Sequence, residues 1–513
     1  MQVRTRTYYL LVVGMLFLYS FLFSCRKRFE VYSSEGDFRV SADTVFLDSV
    51  FAGISSPTYS FKIYNTSDKT ISLEAVYLEK RNQSPYRLNV DGVAGREFEN
   101  VIIPPEDSIY VFVELTADTA GWTDPVYEEK LWIEDAASAE SVLLTAFVKD
   151  AYFLYPQRFP DRSVDSIQVG EYDDGRPVKV PGFMLPGDTT WTSEKPIVVY
   201  GHVGVPPGHT LHITEGTHVY FHFNSGIVVY ENARLLVEGS LENPVILEDD
   251  RMQPEYENAP GMWNFIWLKS GSTGNLIRHA VIKNAVAGVI AHPVDTTGEK
   301  MLDIQNTRIF NMSAYGIIAI ASRVEGYNVV TNNTGASALA MLLGGKYDFV
   351  HCTFANYSRA VRPLTSAAVL LTNEYRTVDA DGNETVYVND LVGCRLANNI
   401  IYGNNDVEFY AVRNEAAAFT FNLHNSLVKF YDPYHQIDAD YLDFDNPEFF
   451  RDNVLNGDPD FENPDENRLR IGPRSAAIGI ADPQIAAEVP LDITGMDRTA
   501  APDAGSYQHS EED

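Results

Sequence analysis

The chain has 513 residues, of which 45% are hydrophobic and 12% aromatic, a composition typical of a folded protein and not of a disordered one. Lys and Arg together number 39 against 71 Asp and Glu, so the net charge is −32. Such an acidic chain lacks the basic stripe that replaces counterions on a phosphate backbone, which excludes nucleic acid as a partner.

The N-terminal segment has the pattern of a secretory signal. Its sequence, "MQVRTRTYYLLVVGMLFLYSFLFSC", places two arginines before an apolar stretch from Tyr8 to Phe23, which Ser24 and Cys25 follow. A basic start, an apolar run of this length and a small residue predict a signal peptide over residues 1–24. An uncleaved transmembrane anchor is the alternative, and the sequence shows no second stretch of ~20 apolar residues.

The end of this segment, Leu22-Phe23-Ser24-Cys25, resembles the bacterial lipoprotein box. In that family the cysteine becomes the first residue of the mature protein and carries the lipid, so the resemblance implies lipid attachment at Cys25. Several acyl chains, at ~0.8 kcal/mol per buried methylene, hold a protein stably on a membrane. The resemblance therefore implies an outer-membrane lipoprotein, at the cell surface or at the periplasmic face, with residues 25–37 as a tether.

Two further cysteines, Cys352 and Cys394, remain if Cys25 is lipidated. An oxidising envelope would permit a disulfide between them. Two small thiols buried in a core are the favoured interpretation.

Residues 38–150 alternate apolar and polar residues over short runs. The pattern is clear in "YSFKIYN" (59–65), "SIYVFVEL" (108–115) and "SVLLTAFV" (141–148), and "NTSDKT" (65–70) has the composition of a turn. Several strands at this spacing predict an all-β sandwich. The stretch "DSVFAGISSPTYSFKIYNTSDKTISL" resembles the immunoglobulin-like modules of bacterial envelope proteins, which implies a spacer or a docking surface.

Residues 151–195 are rich in Pro, Gly and Asp and predict a linker that wraps onto the next domain. From residue 196 a repeat begins, built of six-residue frames with an apolar fourth position and Asn at the sixth position in five of six frames. The frames are "HAVIKN" (279–284), "NTRIFN" (306–311), "YNVVTN" (327–332), "HCTFAN" (351–356), "NIIYGN" (399–404) and "HNSLVK" (424–429).

The frames recur at a regular spacing. Their last residues lie 27, 21, 24, 48 and 25 positions apart, and 48 is interpreted as two periods with one frame skipped. Upstream, Leu211 and Leu235, and likewise Ile213 and Val237, are 24 positions apart. Because the apolar runs are short and β-rich, this period predicts a solenoid in which the strands of successive turns stack at ~4.8 Å.

Asparagine suits the corners of such a coil for two reasons. It tolerates the left-handed backbone of a sharp bend, and its amide can hydrogen-bond to the amide stacked above it. The frames therefore predict a structural asparagine ladder at Asn284, Asn311, Asn332, Asn356 and Asn404.

The repeat also resembles a known group of proteins. "WNFIWLKSGSTGNLIRHAVIKNAVAGVIA" (263–291) is similar to the turns of right-handed parallel β-helix proteins of the pectate-lyase-like group. The resemblance implies a right-handed parallel β-helix over residues 196–455.

The C-terminal stretch resembles a closing module of surface β-helices, the choice-of-anchor Q type. The similarity lies in "NGDPDF" (456–461), "LRIGPRSAAIGI" (469–480) and "DITGMDRTAAPDAGSYQ" (492–508). It implies that residues 456–513 cap the last coil, whose strand edges would otherwise invite pairing. The predicted fold class is therefore all-β: an N-terminal immunoglobulin-like sandwich followed by a right-handed parallel β-helix with a C-terminal cap.

Many β-helix proteins of this group act on polysaccharides, as lyases or hydrolases. "EDDRM" (248–252) contains an Asp pair and an Arg, and "RAVRP" (359–363) places Arg359 near Arg362. Exposed charges on turns are the favoured interpretation of both. The ordered Asp and His motifs of the hydrolases are not found in the sequence.

Histidines crowd the first coils. Three neutral imidazoles can bind Zn²⁺, but no orienting carboxylate stands at a fixed offset from them. Exposed or packed side chains are the favoured interpretation of these histidines: His202, His209, His212, His218 and His222.

Two segments interrupt the coil pattern. "TVDADGNETVYV" (377–388) carries the oxygen ligands that Ca²⁺ prefers at Asp379, Asp381, Asn383 and Glu384. Its Gly382 is out of place for the helix-loop-helix calcium motif. Strand-like flanks favour a protruding hairpin there. "DADYLDFDNPEFF" (438–450) is acidic and aromatic, and either segment is a candidate wall of a groove for a glycan or a partner protein.

The sequence thus predicts a lipid-anchored outer-membrane protein, without catalytic residues, metal or other cofactor, that binds a glycan or serves as a subunit of an outer-membrane assembly. The alternative is a polysaccharide lyase or glycoside hydrolase with an atypical β-helix active site. Clustered Asp, Arg and Lys on one face of the coil would favour the enzyme, and a tyrosine-rich face would favour binding.

Overall fold

The computed structural model describes residues 30–118, 125–171, 175–378, 382–434 and 436–510. The described chain is all-β, as predicted, and divides into two compact units between Lys149 and Asp150. Within those ranges there is one α-helix, Pro483–Ala486, and no helix is long and apolar enough to cross a bilayer. The predicted signal peptide and Cys25 lie outside the described residues.

The first unit contains two β-sheets. One sheet comprises Val31–Ser33, Thr44–Phe51, Thr70–Leu78, Glu97–Ile103, Val126–Glu134 and Ala139–Lys149. The other comprises Phe38–Val40, Tyr59–Asn65, Tyr86–Val90, Val93–Gly95 and Ser108–Leu115, and a 3-10 turn spans Arg81–Gln83.

The two sheets of this unit pack face to face. Along Tyr59–Asn65, alternate residues such as Phe61 and Ile63 are buried, as the alternating sequence pattern predicts. They share one apolar core with Leu73 and Leu131 of the other sheet. This arrangement is that of a sandwich, in which inward residues of both sheets interdigitate.

In the second unit the strands wind as a coil. Thr210–Thr214 pairs in parallel with Arg234–Glu238, which pairs in parallel with Asn275–Arg278, and the same holds for two further sets of strands. Each turn of the coil therefore contributes a strand to each of three faces, named A, B and C below.

Face A comprises Pro177–Met184, His202–Val205, Gly226–Val229, Ile266–Leu268, Ala287–Ala291, Val369–Thr372 and Phe409–Val412. Face B comprises Thr189–Trp191, Thr210–Thr214, Arg234–Glu238, Asn275–Arg278, Leu391–Ala397, Asn422–His424 and Phe450–Arg451. Face C comprises Tyr152–Leu154, Ile197–Val199, His218–Phe221, Val245–Asp249, Ala280–Lys283, Thr353–Asn356, Ile400–Gly403, Leu427–Val428 and Val454–Leu455. Three long strands turn corners: Leu302–Met312 (B and C), Tyr315–Thr334 (A, B and C) and Leu339–Val350 (A and B).

The first turn of the coil lies within the predicted linker. Tyr152–Leu154 pairs with Ile197–Val199, and Thr189–Trp191 pairs with Thr210–Thr214. Between these two strands of the first turn, Ser166–Glu171 forms a hairpin with residues 177–181, the first part of Pro177–Met184. The apolar side of this hairpin packs against the outer surface of face A, and residues 182–184 then continue as the first strand of that face.

Inward side chains of face C form a buried column. On face B, the strands pair in register, with Leu211 opposite Leu235 and Ile213 opposite Val237, as their 24-residue spacing predicts. On face C the column consists of Leu247, Ile282, Ile309, Thr331, Phe354, Ile401 and Val428, all fully buried.

In three of the six predicted frames, the inward-facing residue is therefore not the fourth residue but its neighbour. Val330, Tyr402 and Leu427 stood at the apolar fourth position, but Thr331, Ile401 and Val428 point inward instead. Because alternate residues of a strand face opposite sides, a shift of one residue exchanges inside for outside. The three displaced residues are apolar because the C-terminal segment covers the outer surface of face C.

The 48-residue interval is one lengthened turn and not two periods. Thr353–Asn356 pairs directly with Ile400–Gly403, so no strand of face C lies between them. The extra length includes a hairpin of Glu374–Val378 and Glu384–Val388. The hairpin predicted at 377–388 is thus present, and its Asp379 and Asp381 lie outside the described residues.

Residues 458–507 lie along the outer surface of face C and do not cover the end of the coil. Leu469, Ile493 and Tyr507 pack on Val330 and Ala355. The segment contains the hairpin Phe461–Asn463 with Arg468–Ile471 and the 3-10 turn Pro464–Glu466; further 3-10 turns of this unit are Pro254–Tyr256, Leu364–Ser366 and Asp440–Leu442.

The end of the coil is covered by the aromatic segment 438–450 instead. Phe444 stacks on Phe450 with ring centroids 4.1 Å apart, and Phe449 stacks on Phe421 at 4.9 Å. These rings join the main core of the coil. The prediction that residues 456–513 cap the last coil is therefore wrong in its location, because these rings supply the apolar surface that shields the open core.

Candidate functional site

A cleft of about 580 Å³ opens beside the last turns of the coil. It lies between the 3-10 turn Leu364–Ser366, the corner at 404–408 and the loop segments 430–434 and 436–442. Four tyrosines line it, and three aspartates stand among them: Tyr410, Tyr431, Tyr434, Tyr441, Asp406, Asp432 and Asp438. This volume lies in the range of clefts that bind small ligands or short segments of a polymer.

Two of the tyrosines are unusually exposed. Tyr434 has 80% and Tyr431 has 55% of its surface accessible to solvent, and Leu364 across the cleft has 44%. Large apolar side chains grouped at this exposure mark interaction surfaces more often than isolated ones do.

The loop that carries these tyrosines is folded by Asp432. The Asp432 carboxylate accepts hydrogen bonds from the backbone N–H groups of Gln436 and Ile437, at 3.0 and 2.9 Å. At the start of the loop, the Tyr431 N–H donates to the Asp406 carbonyl at 2.8 Å. The rings of Tyr431 and Tyr434 are thus presented by a loop with defined hydrogen bonds.

The Tyr441 ring packs against Arg413 and Phe419. The Arg413 guanidinium lies 4.6 Å from the centroid of the Tyr441 ring, and Phe419 meets that ring edge-on at 5.7 Å. Arg413 is itself paired with Asp440 at 3.0 Å and with Glu415 at 2.9 Å.

A buried ion pair lies beneath the cleft. Arg362 Nη2 donates to Glu408 Oε1 at 2.8 Å, and both side chains are fully buried. Glu408 also accepts from the backbone N–H groups of Ala368 and Asn405, each at 2.8 Å. Burial raises the pKa of Glu408, while Arg362 and those N–H groups oppose the shift. The pair fixes the corner that bears Asp406 to the segment that bears Leu364.

The sequence identified part of this site. The acidic aromatic segment 438–450 was proposed as a groove wall, and it supplies Asp438 and Tyr441. Tyr431 and Tyr434 were missed, although "FYDPY" (430–434) carries a signal: three aromatic residues around a turn-forming Asp-Pro.

The predicted asparagine ladder is present in part, at the corner that follows face C. Asn311 Nδ2 donates to Asn284 Oδ1 at 3.1 Å, and Asn333 Nδ2 donates to Asn311 Oδ1 at 2.8 Å. All three residues have positive φ, between 55° and 67°. Asn333 takes the position predicted for Asn332.

The other predicted asparagines have different partners. Asn332 Nδ2 donates to the Pro464 carbonyl at 2.8 Å and so holds the C-terminal segment. Asn356 bonds to Thr334, with Nδ2 2.6 Å from its Oγ1. Asn404 donates to the Tyr357 carbonyl at 2.9 Å.

A second ladder, which the sequence analysis missed, precedes face C. Asn328 Nδ2 donates to Asn306 Oδ1 at 2.8 Å, and Asn398 Nδ2 donates to His351 Nε2 at 2.9 Å. These four residues and His279 have φ between 47° and 56°. The signal was an amide or imidazole at or next to the first position of the frames.

The crowded histidines do not converge. Four of them pair with separate carboxylates: His209 with Asp188, His212 with Glu238, His218 with Glu248 and His222 with Asp250. His202 is buried, and burial lowers its pKa. Among the residues that the structure describes, no group of three or more His, Cys, Asp or Glu side chains is arranged to hold a metal ion.

The "EDDRM" segment forms local contacts. Glu248 accepts from His218 at 2.5 Å and from Lys283 at 2.6 Å. Burial alone would raise the pKa of Glu248, but His218 and Lys283 outweigh burial and hold the pKa below its ordinary value. Asp249 is buried and accepts from Asn284 at 2.8 Å, and burial raises its pKa.

The paired arginines of "RAVRP" have unlike environments. Arg362 is the buried partner of Glu408, whereas Arg359 is exposed and lies 3.7 Å from Asp465. Cys352 and Cys394 are both buried free thiols, and burial raises the pKa of each.

No protein-family model matches the chain, and no curated protein matches it. Among solved structures, the catalytic unit of a GH87 alpha-1,3-glucanase from Streptomyces thermodiastaticus strain HF3-3 is 10% identical over 72% of this chain and 78% of its own, with a TM-score of 0.19. A GH87 alpha-1,3-glucanase catalytic domain in complex with nigerose is 11% identical over 73% of this chain and 82% of its own, with a TM-score of 0.19. A family 123 glycoside hydrolase from Clostridium perfringens is 7% identical over 22% of this chain and 25% of its own, with a TM-score of 0.16. At these values the comparisons assign neither a family nor an activity to the chain.

Proposed function

We propose that the protein is a lipid-anchored protein of the outer membrane that binds a glycan without altering it. In this proposal the first unit is an immunoglobulin-like spacer, the second is a right-handed parallel β-helix, and the cleft lined by Tyr410, Tyr431, Tyr434 and Tyr441 is the glycan site. The observation that carries the proposal is the exposure of Tyr431 and Tyr434 on one cleft wall.

The chemistry of the cleft suits a sugar ring. Tyrosine presents a flat apolar face with a polar hydroxyl at its end, and the C–H face of a pyranose stacks on such a ring. The Asp406 and Asp438 carboxylates accept hydrogen bonds, as sugar hydroxyls require. The Asp432 carboxylate holds the backbone of the loop that carries the rings, which limits the ordering that binding requires.

The test measures binding of soluble polysaccharides to the full chain by affinity electrophoresis and calorimetry. Tyr431→Ala and Tyr434→Ala are each expected to weaken binding about ten-fold, by analogy with base stacking on aromatic rings, which contributes ~1–3 kcal/mol. Tyr387→Ala is the matched control, because Tyr387 is 52% exposed on the hairpin outside the cleft.

Two results would overturn this proposal. One is full affinity of the Tyr431→Ala and Tyr434→Ala variants. The other is release of new reducing ends or unsaturated sugars from a polysaccharide, which would establish the enzymatic alternative.

A further inference from the structure

The charged residues that line the tyrosine cleft, among those that the structure describes, are all acidic. Its walls carry Asp406, Asp432 and Asp438, and an adjoining cleft of about 760 Å³ adds Asp440 and Asp443. Among the described residues that line the two clefts there is no Lys, Arg or His.

The aspartates differ in whether other groups of the protein already pair with their carboxylates. Asp440 pairs with Arg413, and the Asp432 carboxylate accepts hydrogen bonds from two backbone N–H groups of its own loop. Asp406 and Asp438 are exposed, and no described residue forms a side-chain hydrogen bond or an ion pair with either carboxylate. These two carboxylates, one on the corner at 404–408 and one on the loop that follows Tyr431, are therefore available to a ligand.

We infer that the cleft selects saccharides that carry protonated amino groups, such as polymers of amino sugars that lack N-acetyl groups. The inference rests on the proposed function, since it assigns the class of glycan bound at that site. The sugar faces stack on Tyr431 and Tyr434, and ammonium groups of the chain approach Asp406 and Asp438.

The sign of the ligand's charge decides how it interacts with the two aspartates. An ammonium group beside an exposed carboxylate gains ~0.2–1 kcal/mol per pair, so two contacts favour an amino sugar over its N-acetylated form by between about two-fold and about thirty-fold. A uronate polymer meets repulsion of similar size at each aspartate. Tyrosine stacking alone does not distinguish these polymers, whereas the aspartates do.

The experiment compares three oligosaccharides of equal length: glucosamine, N-acetylglucosamine and galacturonate oligomers. Binding to the full chain is measured by calorimetry at a mildly acidic pH, where amines are protonated and aspartates ionised, at low and high salt. The double variant Asp406→Asn/Asp438→Asn removes the two charges. Glu215→Gln/Glu255→Gln is the matched control, because it removes two exposed charges outside the cleft.

The expected result is binding in the order glucosamine, N-acetylglucosamine, galacturonate, with a preference of about ten-fold at the first step that salt reduces. The Asp406→Asn/Asp438→Asn variant should lose that preference, while the control keeps it. Equal binding of the first two oligomers, or tighter binding of galacturonate, would overturn the inference and leave the glycan site standing. If no glycan of any charge binds, the proposed function itself is wrong.

Discussion

Arg362 and Glu408 form a fully buried ion pair, 2.8 Å between Nη2 and Oε1, that joins two chain segments 46 residues apart beneath the cleft. Removal of one partner leaves a buried, uncompensated group, which typically costs 3–5 kcal/mol. Glu408→Gln should therefore lower the free energy of unfolding by about 3 kcal/mol in urea denaturation.

The matched comparison is an exposed pair on the same coil. Arg234 and Glu299 lie 3.1 Å apart with 50% and 53% of their side-chain surfaces exposed. Glu299→Gln should change the unfolding free energy by less than about 1 kcal/mol. Equal effects of the two substitutions would show that the buried pair is not what fastens the segments.

Asn311 is the centre of the ladder that follows face C. Its Nδ2 donates to Asn258 and Asn284, and its Oδ1 accepts from Asn333 and Asn467. Asn311→Ala removes these bonds at a residue that is 1% exposed and has a φ of 61°. Unsatisfied buried groups and a left-handed alanine together predict a loss of about 3 kcal/mol in unfolding free energy.

Asn404→Ala is the control for the ladder. Asn404 is exposed, its side-chain Nδ2 donates to the Tyr357 and Ser358 carbonyls, and it is not among the residues with positive φ. We expect a loss of about 1 kcal/mol. If this loss matched that of Asn311→Ala, stacking of amides would contribute nothing beyond ordinary hydrogen bonds.

The period of the coil was readable from the sequence, but the register was not. Ile282, Ile309 and Phe354, which stand at the apolar fourth position of their frames, do share one buried column. At Val330-Thr331 both residues are apolar enough to be buried, since the C-terminal segment covers the outer side as well. When both surfaces of a strand are buried, alternation no longer marks the inner one.

The candidate cleft was less accessible to sequence reasoning. It combines Leu364, Asp406 and Tyr434, which are brought together only by the stacking of successive turns. The 48-residue interval was misinterpreted for a related reason: an inserted hairpin and a missing frame produce the same spacing. A period gives the pitch of a coil, whereas a cleft depends on which loops lengthen at one corner.

Glu248 should make the coil sensitive to acid. Its pKa is held below 4.5 by His218 and Lys283 against the opposing effect of burial. A carboxylate with a depressed pKa adds stability above its unfolded pKa and loses it as pH falls through the folded value. The wild-type chain should therefore lose more unfolding free energy between about pH 5 and about pH 3 than Glu248→Gln does. Glu255→Gln, an exposed substitution, should retain the wild-type slope.

His351 should produce a second loss of stability at higher pH. It is fully buried, accepts from Asn398 at 2.9 Å, and burial, followed by the charge of Arg498, lowers its pKa well below 6.5. A depressed histidine pKa means that, below pH 6.5, the unfolded chain binds a proton that the folded chain does not bind. The contribution of the neutral His351 to the unfolding free energy is therefore fully present above pH 6.5 and decreases as the pH falls below it. The slope of the unfolding free energy that this residue contributes approaches about 1.4 kcal/mol per pH unit.

His351→Asn keeps a residue that tolerates the φ of 51° and removes the titrating group. The unfolding free energy of this variant, measured in urea from pH 7 to pH 5, should therefore decline less steeply than that of the wild-type chain. The readout is the slope and not the absolute stability, because the substitution also alters packing; an unchanged slope would mean that His351 does not remain neutral in the folded coil.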